Sequence, residues 1–391
     1  MDGHADQAAR GFDAAEYRGR IAALQARMAR ESISALLLTT EPDILYVTGF
    51  LTRFWQSPTR PWFVIVPAAG DPVAVIPAIG AALMAETWIT DIRTWNAPQP
   101  ADDGVTLLAD AVQELTPETA RIGLMMGPET HLRMPLADFA RMRDMLAPRS
   151  FVDCADIVHR VREIKSIAEI AAIRATCAAA DRAFAAAPGY IRAGRPLSAV
   201  FRDFQIALLQ GGADWVSYVA GGAGQDGYGD VISPASDTPL MAGDVLMLDT
   251  GAVRGGYFCD FDRNFAIGHA TDVARRAYDI LFAATEAGLA EAGPNAVAGD
   301  LHRAMADKIK AMGGTCLGGR LGHGLGLELT EWPSLTPQDR TPIREGMVLT
   351  LEPGLQVAPG RIMVAEENIV ITADGARLLS RRAPADLPVL K

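Results

Sequence analysis

The sequence predicts an α/β domain at residues 1–157 followed by an α+β domain at residues 158–391. Short apolar strands alternate with helical segments over roughly the first 150 residues, which is typical of an α/β arrangement. Further along, hairpins of apolar strands are separated by helices, a pattern that favours an α+β arrangement. The chain of 391 residues is long enough for two or three domains with large cores.

In the first domain, Ile21, Leu24 and Met28 recur at helical spacing and predict a helix over 14–30. Two apolar runs separated by Ala-Ala-Gly-Asp then predict a hairpin. The elements predicted in this domain are, in chain order, a helix at 14–30, a strand at 34–39, a turn with an apolar stretch at 41–50, hairpin strands at 62–67 and 72–77, a strand at 121–126 and a helix at 133–147.

The second domain is predicted to begin with one long helix over 155–187, because this alanine-rich stretch contains neither Gly nor Pro. The last ten residues, which contain two prolines and begin with Arg382, predict a surface tail. The other elements predicted here are helices at 197–210, 272–292 and 297–312 and two hairpins, one before and one after the last two helices.

The composition is that of an ordinary globular protein, with 49% hydrophobic and 21% charged residues. A net charge of −11 argues against nucleic acid or an anionic membrane as the main partner, and no apolar run approaches the roughly 18–20 residues that span a bilayer. Four scattered cysteines favour reduced thiols in a cytoplasmic protein. The first residues, Met-Asp-Gly-His-Ala-Asp-Gln, lack the pattern of a signal peptide.

A first pair of acidic residues is placed symmetrically about a predicted turn. Apolar runs flank Arg254-Gly255, which is a β-hairpin signal. With these two residues as the loop, Asp249 faces Asp260 across the ladder. Directly opposed residues point to the same face, with Cβ atoms about 4.5–5.5 Å apart. Two carboxylates so placed repel each other unless a positive group neutralises them.

A second hairpin centres on Pro359 and sets Glu352 opposite Glu366. His323 stands among glycines, which let the backbone approach another group closely, although a lone histidine is more often structural. Acidic residues on a solvent face are the simpler alternative, but both hairpins are too apolar for it. The residues interpreted as metal ligands are Asp249, Asp260, His323, Glu352 and Glu366. This donor set is typical of a site for two divalent transition ions, Mn, Fe, Co or Zn.

With these residues, the second domain resembles the pita-bread metallohydrolases, a family that includes methionine aminopeptidase, aminopeptidase P, prolidase and creatinase. The segments that match the family pattern, in order, are Asp249, Gly256-Tyr257-Phe-Cys-Asp260, Gly322-His323-Gly324, Glu352-Pro353-Gly354 and Glu366. The first domain is similar to the creatinase/prolidase-type N-terminal domain, notably in Asp-Ile-Leu-Tyr-Val-Thr-Gly-Phe over 43–50. The resemblance implies a pita-bread catalytic domain, a dimetal centre and a homodimer.

Two positions depart from the peptidases of the family. A histidine that precedes the first aspartate in those enzymes aligns here with Ile232, and residues 160–268 contain no histidine. The histidine of their His-Glu-x-Pro segment is replaced by Thr330 in Thr-Glu-Trp-Pro. In the family, these histidines bind substrate or move protons at the scissile amide, so ordinary peptidase activity is expected to be weak.

Three functions are compatible with this pattern. The favoured one is hydrolysis of a C–N bond in a small, non-standard substrate by a creatinase-like or prolidase-like enzyme. A metal-dependent lyase resembling dimethylsulfoniopropionate lyases of the same fold is the alternative, which the missing histidines favour. A pseudoenzyme that uses the fold for binding is the third, although a binding module has no need of five converging ligand-type residues.

Acids close to the ligands are candidates for proton transfer. Asp262 follows Asp260 at the strand period of two, where the family usually has threonine, and is interpreted as a base beside the ligands, with a surface acid as the alternative. Glu331 is the second candidate, with the orientation of a ligand as its alternative role. The residues interpreted as binding a small-molecule substrate are Arg53, Trp55, Arg60, Tyr218, Tyr228, Thr330 and Trp332.

Arg53 and Arg60 belong to an aromatic–arginine segment of the first domain, which can equally be the edge of a core. In relatives of this type, the N-terminal domain of one subunit caps the active site of its partner. The resemblance therefore implies that these arginines grip a substrate carboxylate across a dimer interface, since arginine pairs with carboxylates in a bidentate manner.

Overall fold

The computed structural model describes residues 11–57 and 60–391, which form two compact units that divide between Arg162 and Glu163. The predicted boundary, between 157 and 158, lies inside the last helix of the first unit. The segment 1–10, on which the expectation about a signal peptide rests, lies outside the described residues. Within the described ranges, no helix combines the length and the apolar character needed to cross a bilayer.

The first unit is a mixed six-stranded sheet flanked by helices. Its elements are α1 (Ala14–Glu31), β1 (Ala35–Leu38), α2 (Glu41–Thr48), β2 (Phe63–Pro67), β3 (Val73–Pro77), α3 (Ala81–Ala85), β4 (Asp91–Trp95), α4 (Val105–Leu115), β5 (Arg121–Leu124), α5 (Leu136–Leu146), β6 (Ser150–Asp153) and α6 (Ala155–Arg162). The strand order is β4-β3-β2-β1-β5-β6, with β1 antiparallel to β2 and parallel to β5.

Local sequence explains the first helix and the central strand of this unit. The side chain of Asp13 accepts the N–H of Glu16 and caps α1, whose buried face carries Ile21, Leu24 and Met28 as the spacing predicts. Strand β1 is buried on both faces, which its unbroken apolar run indicates. The stretch expected to hold only a turn and apolar residues forms α2.

The second unit contains three sheets and four helices among its described residues. Its elements are α7 (Ile167–Ala186), α8 (Leu197–Gln210), β7 (Trp215–Gln225), β8 (Asp244–Arg254), β9 (Tyr257–Phe258), β10 (Phe261–Ile267), α9 (Asp272–Glu291), α10 (Ala298–Ala311), β11 (Thr315–Cys316), β12 (His323–Gly324), β13 (Glu331–Ser334), β14 (Val348–Leu351), β15 (Gly354–Ala358), β16 (Arg361–Val364), β17 (Glu367–Thr372), β18 (Gly375–Leu378) and β19 (Val389–Leu390).

The single long helix expected over 155–187 is wrong, because the chain breaks between α6 and α7. Ser166 caps α7 by accepting the N–H of Glu169, and the Glu169 side chain accepts the N–H of Ser166 in return. This capping box satisfies donors that a helix start leaves unpaired. The Ser-Ile-Ala-Glu sequence carries the signal for the break, even though the stretch has no Gly or Pro.

The two larger sheets carry the predicted ligands. One sheet has the order β19-β10-β8-β7, and the other has the order β13-β12-β14-β17-β18. A core of apolar residues from these sheets and from α9 and α10 packs behind the ligands. The predicted surface tail is also wrong, since Val389 and Leu390 pair with β10 as strand β19.

Candidate metal centre

The hairpin of β8 and β10 turns one position later than predicted. Val253 pairs with Phe258 and Arg254 pairs with Tyr257, so the two-residue loop is Gly255-Gly256. Both glycines have positive φ, 60° and 87°, which a type I′ turn requires and which Arg254 would adopt only with strain.

This register places Asp249 directly opposite Asp262, so the predicted pairing of Asp249 with Asp260 is wrong. Asp260 lies in the short break between β9 and β10 and stays on the same face, because residues two apart on a strand share a face. Three carboxylates therefore converge at this end of the hairpin, where two were expected.

The second hairpin keeps the predicted register. Leu351 pairs with Glu367 on one side of the acidic residues, and Gly354 pairs with Val364 on the other. Both pairs are symmetrical about position 359, and the register sets Glu352 opposite Glu366. These two residues lie in breaks between consecutive strands, where the backbone is free to turn the side chains toward the first hairpin.

Asp260, His323 and Glu366 meet at one point. Each offers one ligand atom within 4.8 Å of the others, and all three side chains are buried. The Nδ1 atom of His323 lies 2.8 Å from the carbonyl oxygen of Gly324, which can only accept, so Nδ1 carries the proton. The Nε2 atom therefore points its lone pair at an oxygen of Asp260 3.3 Å away. Two acceptors this close repel each other unless a proton or a metal ion lies between them.

Asp249 and Glu352 both lie in the electrostatic field of Asp260. Burial raises the pKa of Asp249 well above its usual range, and the charges of Asp260, Asp262 and Glu352 raise it further. Burial also raises the pKa of Glu352, with Asp260 adding to the rise and His323 opposing it. The five predicted ligands thus form one cluster, although only three of them offer atoms within 4.8 Å of one another.

Glu366 shows that the cluster fits divalent ions. Burial raises its pKa well above the usual range, and the charges of Asp260 and Glu352 contribute. Its Oε1 atom is buried without a hydrogen-bond partner among the described residues. A buried, unsatisfied carboxylate oxygen beside other carboxylates is costly unless the carboxyl is protonated or a metal coordinates it. The donors are oxygens and one imidazole, which suit Mn, Fe, Co or Zn.

Tyr218 holds the two aspartates of the first hairpin together. Its hydroxyl donates to Asp260 and lies 3.2 Å from both carboxylate oxygens of Asp249. Burial and the neighbouring carboxylates raise its pKa well above the usual range, so the hydroxyl stays protonated as a donor. Tyr218, which was predicted to bind substrate, therefore contacts two of the predicted metal ligands.

Tyr228 lies in the core and is completely buried. Its hydroxyl donates to Asn264 at 3.2 Å and accepts the N–H of Val364 at 2.7 Å, which fixes the end of β16. It therefore exposes no surface that a substrate could touch. The glycine-rich segment that contains both tyrosines belongs largely to β7, where Tyr218 lies at an irregularity in the pairing with β8.

Asp262 is buried, and burial raises the pKa of its carboxyl well above the usual range, with Arg263 and the nearby backbone of Glu366 opposing the rise. Arg263 donates to the backbone carbonyl of Glu366 at 3.0 Å and to the side chain of Glu367 at 3.0 Å. The surface alternative for Asp262 is thus excluded by its burial. Arg263 forms a salt bridge with Glu367 at the centre of the unit.

Glu331 is held by a buried ion pair that the sequence pattern did not indicate. Its Oε2 atom accepts from Nζ of Lys165 at 2.9 Å, and its Oε1 atom accepts the N–H of Leu327 at 2.9 Å. A Cβ atom at Gly326 would come within 2.6 Å of Oε1, so only glycine allows this approach. The two charges lie 166 positions apart in sequence, which hides their pairing from pattern analysis.

The two positions that depart from the peptidases lack a titratable side chain. Ile232 is 85% exposed in a turn in which Asp230 accepts the N–H of Ile232 at 2.9 Å. Thr330 accepts a hydrogen bond at 3.2 Å from Arg320, whose charge also lowers the pKa of Glu352. A guanidinium thus lies close to the position where the family peptidases carry their second histidine.

The residues of the first unit that were predicted to bind substrate, Arg53, Trp55 and Arg60, belong to one loop, which contacts Arg133. Its guanidinium lies 5.2 Å from the ring centre of Trp55 and donates to the carbonyl of Arg60 at 3.3 Å. Glu41 lies close by, and burial raises its pKa to about 7 although Arg53 and Arg133 oppose the rise. Pro58 and Thr59 of this loop lie outside the described residues.

Trp332 is partly buried in β13, and its indole N–H donates to Thr341 at 3.0 Å. Three residues at or next to the site were missed by sequence reasoning: Lys165, Arg320 and Asn368. Only Arg320 had a local signal, because it stands three positions before His323 in the glycine-rich segment.

Comparison with known proteins agrees with this geometry. The model of metallopeptidase family M24 matches residues 171–373, and the model of the creatinase/prolidase N-terminal domain matches residues 20–164. The chain is 28% identical to the probable dipeptidase PepE of Mycobacterium tuberculosis over 383 residues, covering 97% of this chain and 98% of that protein. It is 30% identical to the Xaa-Pro dipeptidase of Pyrococcus furiosus over 234 residues, covering 60% of this chain and 67% of that protein.

Solved structures give the same result for the fold. The dipeptidase PepE from Mycobacterium ulcerans superposes with a TM-score of 0.84 at 28% identity, covering 97% of this chain and 99% of that chain. A prolidase from Thermococcus sibiricus superposes with a TM-score of 0.85 at 22% identity, covering 96% and 99%, respectively. The chain belongs to metallopeptidase family M24, with a creatinase/prolidase N-terminal domain preceding a pita-bread catalytic domain.

Proposed function

We propose that the protein is a metal-dependent hydrolase that cleaves the C–N bond of a small, amide-type substrate carrying a free carboxylate. The observation that carries the proposal is the convergence of ligand atoms from Asp260, His323 and Glu366 within 4.8 Å. Divalent ions bound by these residues with Asp249 and Glu352 would supply Lewis-acid activation of the amide carbonyl and of water. The relatives named as dipeptidases support a small substrate.

The chain itself orients these ligands and supplies few groups for proton transfer. Tyr218 keeps Asp249 and Asp260 in place, while Lys165 neutralises Glu331. This pairing supports an orienting role for Glu331, and the position of Asp262 opposite Asp249 supports the same role there. A proton-carrying function of Asp262 and Glu331 remains the alternative within this proposal.

A free carboxylate on the substrate has a partner in Arg320. This exposed side chain lies at hydrogen-bond distance from Thr330, and its charge reaches Glu352. An arginine beside the ligands can pair with a carboxylate while the adjoining amide reaches the ions. Trp332 lies in β13, two positions after Thr330, and contributes an apolar surface to the binding site.

Peptidase activity is expected to be weak because neither Ile232 nor Thr330 can protonate a leaving amine. General acid catalysis contributes about 10²–10⁴-fold, so Xaa-Pro dipeptides should turn over slower than in a prolidase by about that factor. The test is an assay of the metal-loaded protein against Xaa-Pro and other dipeptides, their C-terminal amides, N-acylated amino acids and dimethylsulfoniopropionate. Asp260→Asn serves as the control without a complete ligand set.

The outcomes of this panel separate the candidate functions. Faster hydrolysis of N-acylated acids than of dipeptides, and loss of activity on amidation, would support the proposal and the role of Arg320. Prolidase-like rates on a dipeptide would contradict the preference for a non-standard substrate. Release of a volatile sulfide would move the protein to the lyases, and inactivity of metal-loaded protein on every substrate would favour a binding role.

A further inference from the structure

Asp260 lies outside a regular strand, yet its backbone is held on both sides by one side chain. In the break between β9 and β10, the N–H of Asp260 donates to Oδ1 of Asn368 at 3.0 Å. The Nδ2 atom of Asn368 donates to the carbonyl of Asp260. A side-chain amide thus replaces the pair of hydrogen bonds that a neighbouring antiparallel strand would make.

Asn368 is itself fixed in one orientation. It is completely buried on β17, and its backbone N–H donates to Ser380 at 3.2 Å. Its Oδ1 atom also accepts from the thiol of Cys177 at 3.3 Å. A flipped amide would face the N–H of Asp260 with its own donors, so the contacts with the backbone decide which atom is oxygen.

The opposite hairpin is held in the same way. Glu366 lies in the break between β16 and β17, and its carbonyl accepts from Arg263 at 3.0 Å. A residue at the start of β10 therefore holds the backbone of Glu366, and a residue at the start of β17 holds the backbone of Asp260. Each break between strands is therefore held by a side chain from the strand that follows the other break.

We propose that Asn368 is a positioning residue that aims the carboxylate of Asp260 at the metal ions through the backbone of Asp260. The inference rests on the proposed role of Asp260 as a ligand. Without the amide, the backbone of Asp260 would lose two buried hydrogen bonds and its side chain would sample orientations away from the ions. Residues that orient ligands typically change metal affinity by about 10–100-fold when replaced.

The test compares metal binding by Asn368→Leu, which is similar in volume but lacks the amide, and by Asn368→Ala. Ser380→Ala is the matched control, because it removes buried hydrogen bonds to the backbone of Asn368 and to the side chain of Glu367 and leaves both bonds to Asp260. Metal-free proteins are titrated with Mn²⁺ and Co²⁺ against a chelator, the visible absorption of the Co²⁺ forms is recorded, and thermal unfolding in chelator checks the fold.

We expect both Asn368 variants to bind Co²⁺ about 10–100-fold more weakly and with an altered spectrum, and Ser380→Ala to bind as wild type. Wild-type affinity and spectrum in a folded Asn368→Ala protein would overturn the inference. If wild type binds metal and Asp260→Ala does not, the ligand assignment stands whatever the Asn368 variants do. Failure of wild type to bind either ion would instead remove the proposed function and this inference together.

Discussion

At the scale of single residues, the carboxylates of the site are arranged for a bound cation and not for stability of the metal-free protein. Glu366 is buried and Asp249 is partly buried, and each lies in the field of other acids. An oxygen of Glu366 has no partner among the described residues. This arrangement gives the metal-free protein a dependence on pH that ordinary surface acids would not produce.

The metal-free protein should become more stable as pH is lowered from neutral toward about 5. The pKa values of Asp249 and Glu366 are raised in the folded state, so between the usual carboxylate range, near 4, and the raised values the folded protein binds more protons than the unfolded chain. Its free energy of unfolding therefore falls as pH rises through this window. The measurement is denaturant unfolding in chelator at a series of pH values.

Glu366→Gln provides the comparison, because it removes one of these carboxylates and keeps its shape. Its unfolding free energy should vary less steeply with pH than that of the wild type. Saturating metal should stabilise wild type most at higher pH, because ions compete with protons for the ligands. Identical pH slopes for the metal-free wild type and Glu366→Gln would contradict this account.

At the scale of elements, Asp260, Glu352 and Glu366 lie where strands are interrupted, whereas Asp249 lies within the regular ladder of β8 and β10. The ladders on either side of Glu352 and Glu366 keep one register, while the two ligands themselves lie in breaks. The segment from His323 to β13 is fixed by the Lys165–Glu331 pair, which ties it to the residues just before α7. This pair is the clearest point at which one substitution would disturb a whole segment.

Lys165→Met should destabilise the protein by about 3–5 kcal/mol, because it removes the ion pair that neutralises the buried Glu331. The double variant Lys165→Met with Glu331→Gln should recover much of that loss, since the carboxylate charge is gone while Gln still accepts the N–H of Leu327. Denaturant unfolding of the wild type, both single variants and the double variant gives the coupling energy. Additive losses would show that the two side chains act independently.

Patterns that depend on neighbouring residues were predictable, and contacts between distant residues were not. Helix α8 spans the predicted 197–210, because its apolar residues recur at helical spacing. The first hairpin was misplaced because Arg254-Gly255 and Gly255-Gly256 are both turn signals, and only the second gives positive φ at both positions without strain. The role of Asn368 depends on a contact across 108 positions, which no local pattern indicates.

At the scale of the whole molecule, the matching family explains both units, and the expected homodimer stays a prediction. The first unit presents Arg53 and Phe54 on its surface, and Phe54 is 56% exposed. An exposed aromatic beside an arginine is typical of residues that reach a partner or a substrate. We propose that this loop, with Trp55 and Arg60, completes the active site of the other subunit in a cytoplasmic homodimer.

Mixing Arg53→Ala chains with Asp260→Ala chains should restore activity if the loop acts across the dimer, because one of the two mixed sites then has a wild-type loop and a wild-type metal centre. The expected recovery is about a quarter of wild-type activity after statistical exchange of subunits. Activity is measured before and after exchange, with size-exclusion chromatography and light scattering to establish the oligomer. A fully active monomer would refute the shared site.

The sheet that contains β10 can be completed only after strand β19 has been synthesised. Val389 and Leu390 pair in parallel with Ala266 and Ile267, more than a hundred residues earlier in the chain. During synthesis at about 5–20 residues per second, β10 leaves the ribosome several seconds before its neighbour exists. Until then, its outer edge stays open to other chains, so slower translation of the residues between β10 and β19 should increase aggregation of nascent protein.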